Sequence, residues 1–255
     1  MRIDDLDAPR NVDGVADAIL DCLEHFGLHW DDEVYYQSRN LETYYETLNQ
    51  LRQQQRLYAC HCSRKTLGQL AIYPGYCRDA EFSFDEPSAW RLKTEDLQIE
   101  FTDALQGKLN QNPAAEHGDF IVRRKDNIIA YQFAVVVDDY RQRVNHVVRG
   151  VDLLASTPKQ IYQQQLLGYP KPHYMHLPLI VDSQGNKLSK QTLAAPVDAC
   201  HPETTLFKLL QMLKQNPPSV LQNAPIAEQL SWAIGHWQPQ SLSQLRAIEP
   251  PQSAL

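Results

Sequence analysis

The chain has 255 residues, 43% of them hydrophobic and 22% charged, with a net charge of −7 at neutral pH. This is ordinary globular composition with enough length for a substantial core, in one large domain or a domain plus an appendage. It excludes nucleic-acid binding spread over the whole surface, and no stretch approaches the roughly 20 apolar residues of a membrane span.

In chain order, residues 1–6 have the pattern of a strand end, and their acidic character lacks the apolar core of a secretory signal. Residues 12–26 predict an amphipathic helix with Val15, Ala18, Ile19, Cys22, Leu23 and Phe26 on one face and Gly27 after it. A second helix is expected over 41–56, with Leu41, Tyr44, Tyr45, Leu48 and Leu51 as a core-facing stripe. Residues 57–118 hold a cluster of cysteines and an acidic, proline-interrupted stretch, which suggests an insertion splitting a sheet. An apolar, β-rich run is expected over 120–137, and a buried β-branched strand over 144–148. After Gly150 comes a helix capped by Ser156 or Thr157, with Pro158 in its first turn and Gly168 at its stop. Residues 176–190 predict a short apolar strand, a turn at Gly185 and a loop with Lys187 and Lys190. Beyond it, short helical segments are punctuated by Pro217, Pro218, Pro225 and Pro239.

Three features carry chemistry. Cys60 and Cys62, with Cys77 after a loop, can fill three corners of a tetrahedral zinc site; His61, between two of them, is badly placed to turn inward. Tyr73, Tyr76 and Asp79 lie nearby, and spacing alone leaves zinc and a set of small buried thiols equally open. Cys22 and Cys200 match no pattern and are expected to be structural. Arg149 stands at the carboxyl end of a strand that leads into a helix, where open α/β sheets build their sites. Its planar fork suits a carboxylate, in competition with a surface ion pair. The Lys187-Leu188-Ser189-Lys190 loop can bring ammonium charge onto a phosphate, although polar lysine loops are also common as solvated turns. Local basic clusters, Arg123-Arg124-Lys125 and Arg141 with Arg143, are the candidates for RNA contact, against the reading of a solvated face.

The segments Val147–Gln160 and His176–Lys190, with the opening Arg2-Ile3-Asp4-Asp5-Leu6-Asp7-Ala8-Pro9-Arg10, resemble the catalytic core of class I glutamyl-tRNA synthetases. Within that group they most resemble the glutamyl-queuosine tRNA(Asp) synthetase family, short paralogues without an anticodon-binding domain. The resemblance runs from residue 1 to about Lys190. It implies an α/β, Rossmann-like catalytic domain with a zinc-containing insertion and a short α-helical C-terminal region. It also implies ATP-dependent activation of L-glutamate, with Mg2+ accompanying the ATP, and transfer to queuosine in tRNA(Asp). Residue by residue, Asp4 falls where the family usually has a glutamate that binds the substrate amino group. Tyr131 matches a tyrosine touching the bound glutamate, and Arg149 matches the clamp on its side-chain carboxylate. Lys190 matches the catalytic, ATP-binding lysine of the loop, with Lys187 and Ser189 beside it. The family's Cys-x-Cys, Tyr and Cys pattern maps onto Cys60, Cys62, Tyr73 and Cys77 as zinc ligands.

These expectations divide the chain into a catalytic core over 1–190, with an insertion at about 57–118, and a helical, stem-contact-like region over 191–255. The family's first strand and its His-x-Gly-His motif find no match, so the core is expected to be short by about one strand–helix–strand unit at its N-terminus. Ile234-Gly235-His236 is an accidental likeness. A cytoplasmic monomer is expected. Two other readings stay open: a glutamyl-tRNA synthetase fragment, and an inactive zinc- or RNA-binding remnant.

Overall fold

The computed structural model describes residues 1–188 and 197–249. Strands β1 (Arg2–Ile3) and β2 (Tyr35–Tyr36) pair in parallel around helix α1 (Val15–His25). Helix α2 (Leu41–Gln53) buries Tyr44, Leu48 and Leu51, spaced so that they fall on one helical face. Strand β3 (Leu57–Cys60) leads through a single helical turn, α3 (Arg64–Leu67), to β4 (Ala89–Leu92). A hairpin of β5 (Ile99–Asp103) and β6 (Gly107–Gln111) follows, then a short α4 (Pro113–His117) and β7 (Phe120–Arg123). Helix α5 (Tyr131–Arg141), strand β8 (His146–Gly150), a 3-10 turn (Val151–Ser156), helix α6 (Thr157–Leu167) and strand β9 (His173–Leu177) complete the central part.

Two sheets flank one core. The first is antiparallel, in the order β3-β4-β7. The second is mixed, in the order β6-β5-β9-β8, with β9 parallel to both β5 and β8. Helices α2, α5 and α6 join them through Tyr44, Leu48, Trp90, Leu92, Phe133 and Tyr162. Residues 99–111 thus belong to the same sheet as β8 and β9. The register of β5 on β9 rests on the pair Asp103 and Tyr174, which sets Asp103 beside the strand that carries His176.

After β9, strand β10 (Leu179–Ile180) pairs in parallel with β11 (Ala247–Ile248) and stitches the C-terminal part to the sheet region. Between them, α7 (Pro202–Met212) and α8 (Ile226–His236) pack together, and Phe207, Leu221 and Ala224 form a small core of their own with Trp232. Pro225 immediately precedes α8, and Pro239 opens the next 3-10 turn, as expected of residues that cannot continue a helix. No helix among the described residues is long and apolar enough to cross a membrane.

Two local expectations are corrected. The run 120–137 is a strand only to Arg123; after a turn at Asn127 (φ +67°) it becomes α5, and Val135, Val136 and Val137 are buried on that helix. A short apolar run does not by itself separate a buried strand from a buried helix, and core packing outweighs β propensity here. The strand expected at 144–148 runs instead over His146–Gly150 and is half-exposed, because β8 is the edge of its sheet. By contrast, α6 has the first-turn Pro158 and the left-handed Gly168 that its sequence announces, although Ser156 before it makes no side-chain capping bond and its hydroxyl accepts from Gln132 instead.

Candidate active site and metal centre

The parallel register of β8 on β9 sets Arg149 directly opposite His176. The Arg149 Nε donates to His176 Nε2 at 3.1 Å, and its Nη2 donates to Thr157 Oγ1 at 2.9 Å. Thr157 is the first residue of α6, so strand, returning strand and helix start converge on one guanidinium. Behind it, His176 Nδ1 lies 2.6 Å from Asp103 Oδ2, and both side chains are 0% exposed. Asp103 Oδ1 also accepts the backbone amides of Leu105, Gln106 and His176 at 3.0, 2.9 and 3.2 Å. Burial pushes this carboxyl up, but the His176 bond and the three amides outweigh it and hold it below the ordinary carboxylate range. The arrangement anchors a cation that remains half-buried, as recognition of a substrate carboxylate requires.

Tyr131 is the first residue of α5 and is 39% exposed, so it is a helix-start residue and not the strand tyrosine its sequence context suggests. Asp4 follows β1 and accepts from Arg2 Nε at 2.8 Å, while Arg2 Nη1 reaches Asp139 of α5 at 2.7 Å. Burial raises the Asp139 carboxyl above its ordinary value, opposed by Arg2 and then Arg149. Among the described residues no hydrogen bond joins Asp4, Tyr131 and Arg149 directly. Lys187 Nζ lies 2.6 Å from Asp152 Oδ2 in the turn after β8. That turn is tight: a Cβ on Gly150 would meet Asp152 Oδ1 at 2.5 Å and Leu179 at 3.2 Å. Lys190 and Ser189 lie outside the described residues. Sequence patterns single out neither Asp103 nor His176, and offer Thr157 only as a possible helix cap; the available signal is a histidine two residues after Tyr174, on the buried face of β9.

The cysteine cluster forms a second centre. The Sγ atoms of Cys60, Cys62 and Cys77 lie within 4.8 Å of one another. The Cys62–Cys77 separation is 3.4 Å, and the Tyr73 hydroxyl is 3.5 Å from Cys60 Sγ and 3.7 Å from Cys62 Sγ. A tetrahedron with zinc–sulfur bonds of about 2.3 Å has edges of about 3.8 Å, so these four donors fit a zinc ion after small shifts. His61 faces away, edge-on to Phe82. Arg91 backs the cluster: its Nε donates to Cys60 Sγ at 3.3 Å, and its guanidinium covers the Tyr73 ring at 3.6 Å from the centroid. Burial raises the Cys60 thiol, but hydrogen bonds from Tyr73 and Arg91 outweigh it and bring it below the ordinary thiol range. Burial pushes Cys62 up to about 11 and Tyr73 well above the usual phenol. A bound dication would reverse both effects. Of the basic clusters, Arg124 pairs with Asp7 and Asp126, and Arg123 lies over the Trp90 ring.

Comparisons with known proteins agree with this architecture. The family model described as "tRNA synthetases class I (E and Q), catalytic domain" matches residues 1–71 and 78–205. A glutamyl-Q tRNA(Asp) synthetase of a Synechococcus strain is 48% identical over 95% of this chain and 87% of the relative. That of Ectopseudomonas mendocina is 44% identical over 99% of this chain and 86% of the relative. Among solved structures, a glutamate tRNA ligase from Elizabethkingia meningosepticum, in complex with its amino acid, superposes with a TM-score of 0.77 at 21% identity. It covers 99% of this chain, which in turn spans 60% of that longer one, and it shares the fold. The chain belongs to the class I tRNA synthetase family, within its glutamyl-Q tRNA(Asp) synthetase group of aminoacyl-tRNA synthetase-like ligases.

Proposed function

We propose that the protein activates L-glutamate with ATP to an enzyme-bound glutamyl-adenylate and transfers the glutamyl group to the queuosine base of tRNA(Asp). The observation that carries this reading is the likeness, over nearly the whole chain, to relatives named for that product. The anchored Arg149 supports it by offering a carboxylate clamp at the carboxyl end of a parallel strand.

In this reading Arg149 binds the side-chain carboxylate of glutamate, Tyr131 lines the same pocket and Asp4 receives the substrate amino group. The α-carboxylate attacks the α-phosphate of ATP, the bond to the bridging oxygen breaks, and pyrophosphate leaves. Lys187 and Lys190 neutralise charge that develops on the phosphates, with Mg2+ accompanying the nucleotide. Rate enhancement comes from positioning and electrostatic stabilisation, with no covalent enzyme intermediate. Zinc would be held by Cys60, Cys62, Tyr73 and Cys77 and would cross-link residues 60–77 as a knuckle; four protein ligands would leave no position for water, which makes the role structural. Residues 1–190 act as the catalytic core, with about 57–118 as its insertion, and 191–255 contact the tRNA stem. The enzyme works as a cytoplasmic monomer on the anticodon loop, whose unstacked bases a protein can reach.

Labelled glutamate offered separately with queuosine-containing tRNA(Asp) and with tRNA(Glu) tests the reading. Label is expected on the first and not on the second. Charging of tRNA(Glu), with none on tRNA(Asp), overturns it in favour of an ordinary glutamyl-tRNA synthetase.

A further inference from the structure

The buried partners of Arg149 constrain one another. Arginine only donates, so His176 Nε2 must present a lone pair to Arg149 Nε at 3.1 Å. The other ring nitrogen then carries the proton and donates it to Asp103 Oδ2 at 2.6 Å. Asp103 can accept it because its second oxygen is already committed to three backbone amides, all of them donors. Thr157 Oγ1 accepts from Arg149 Nη2 and has two acceptors within reach for its own proton, Leu153 O at 3.4 Å and His176 Nε2 at 3.1 Å. An imidazolium would set an N–H of His176 against the N–H of Arg149 and break the pattern. Every donor finds an acceptor only when the ring is neutral and protonated on Nδ1.

The guanidinium is therefore held along one side, through Nε and one proton of Nη2. Its other edge, Nη1 with the second Nη2 proton, has no hydrogen-bond partner among the described residues and can take a carboxylate through two parallel bonds. We propose that Asp103 and His176 are positioning residues, a buried carboxylate–imidazole pair that grips Arg149 by one edge and presents the other to the substrate side-chain carboxylate. This rests on Arg149 being the glutamate clamp. The pair touches no substrate and acts through the arginine.

Two substitutions at His176 separate positioning from simple packing. In His176→Gln the side-chain amide can place its oxygen near the former Nε2, preserving an acceptor for Arg149. In His176→Asn the shorter amide can still meet Asp103 but cannot reach Arg149. Glutamate-dependent ATP–pyrophosphate exchange should show KM for glutamate raised about 10- to 100-fold in His176→Asn, with kcat within about threefold of the parent. His176→Gln should recover most of that loss. Equal KM values in the two variants, or an unchanged KM in His176→Asn, would overturn the proposal. Arg149→Ala is the control: an unchanged KM there defeats the glutamate-clamp reading itself and this proposal with it. An impaired Arg149→Ala beside a normal His176→Asn defeats only the positioning role. Nitrogen-15 spectra of the His176 ring give a readout independent of turnover. They should show a protonated Nδ1 and an unprotonated Nε2 at neutral pH; the opposite tautomer or an imidazolium refutes the pair.

Discussion

The two polar centres are built in opposite ways. All four donors of the thiol knuckle come from residues 60–77, one strand end and the loop after it. The Arg149 centre draws on β5, β8, β9 and the start of α6, and its buried carboxylate–imidazole pair joins residues 73 positions apart. Closing the knuckle costs little chain entropy, and a metal can hold it with few other contacts. The arginine centre exists only once a four-stranded sheet has its register. The knuckle should therefore fail locally when damaged, whereas damage at the arginine centre should show first in function.

The largest expected effect comes from removing the arginine. Arg149→Ala should cost about 2–5 kcal/mol in kcat/KM for glutamate, because a charge-assisted, two-bond contact is lost. Arg149→Lys should recover little, since an ammonium keeps the charge without the fork. Near-normal pyrophosphate exchange in the alanine variant would remove Arg149 from the site. A Tm within about 2 °C of the parent would confirm that the fold does not depend on this side chain.

Breaking the knuckle should reverse that pattern. Protein purified without chelator should carry about one zinc per chain, and Cys62→Ser should lose most of it. The variant should be destabilised by roughly 2 kcal/mol, with amide exchange accelerated over residues 60–80 and little change elsewhere. Full zinc content in Cys62→Ser, or a parent that folds normally without zinc, would make these cysteines ordinary buried thiols.

The smallest effect sharpens the comparison through pH. Asp103 titrates lower in the folded protein than in the unfolded chain, through its bonds to His176 and the three amides. Between those two values the unfolded chain binds the extra proton, so acid favours unfolding. The stability Asp103 contributes is complete above the ordinary carboxylate range and is lost as pH falls through its depressed folded value. The Tm gap between the parent and Asp103→Asn should then narrow as pH falls from neutral through the ordinary carboxylate range and below it. A gap that stays constant would show that Asp103 makes no ionised contact in the fold.

The sequence by itself determined what neighbours along the chain can settle. Pro158 and Gly168 mark the start and stop of α6, the Tyr44–Leu48–Leu51 stripe marks the buried face of α2, and the Cys60, Cys62 and Cys77 spacing marks the knuckle. Each rests on interactions within a few turns or one loop. Tertiary structure alone decided that residues 131–137 are helical and that β8 is a half-exposed edge. It also decided that Asp103, unremarkable in its acidic stretch, lies against His176. The valine run of α5 suits a strand or a helix until a core closes around it, and Asp103 meets its partner only through the β5–β9 register. Distant pairings depend on which faces are buried together, and no short window of residues carries that information.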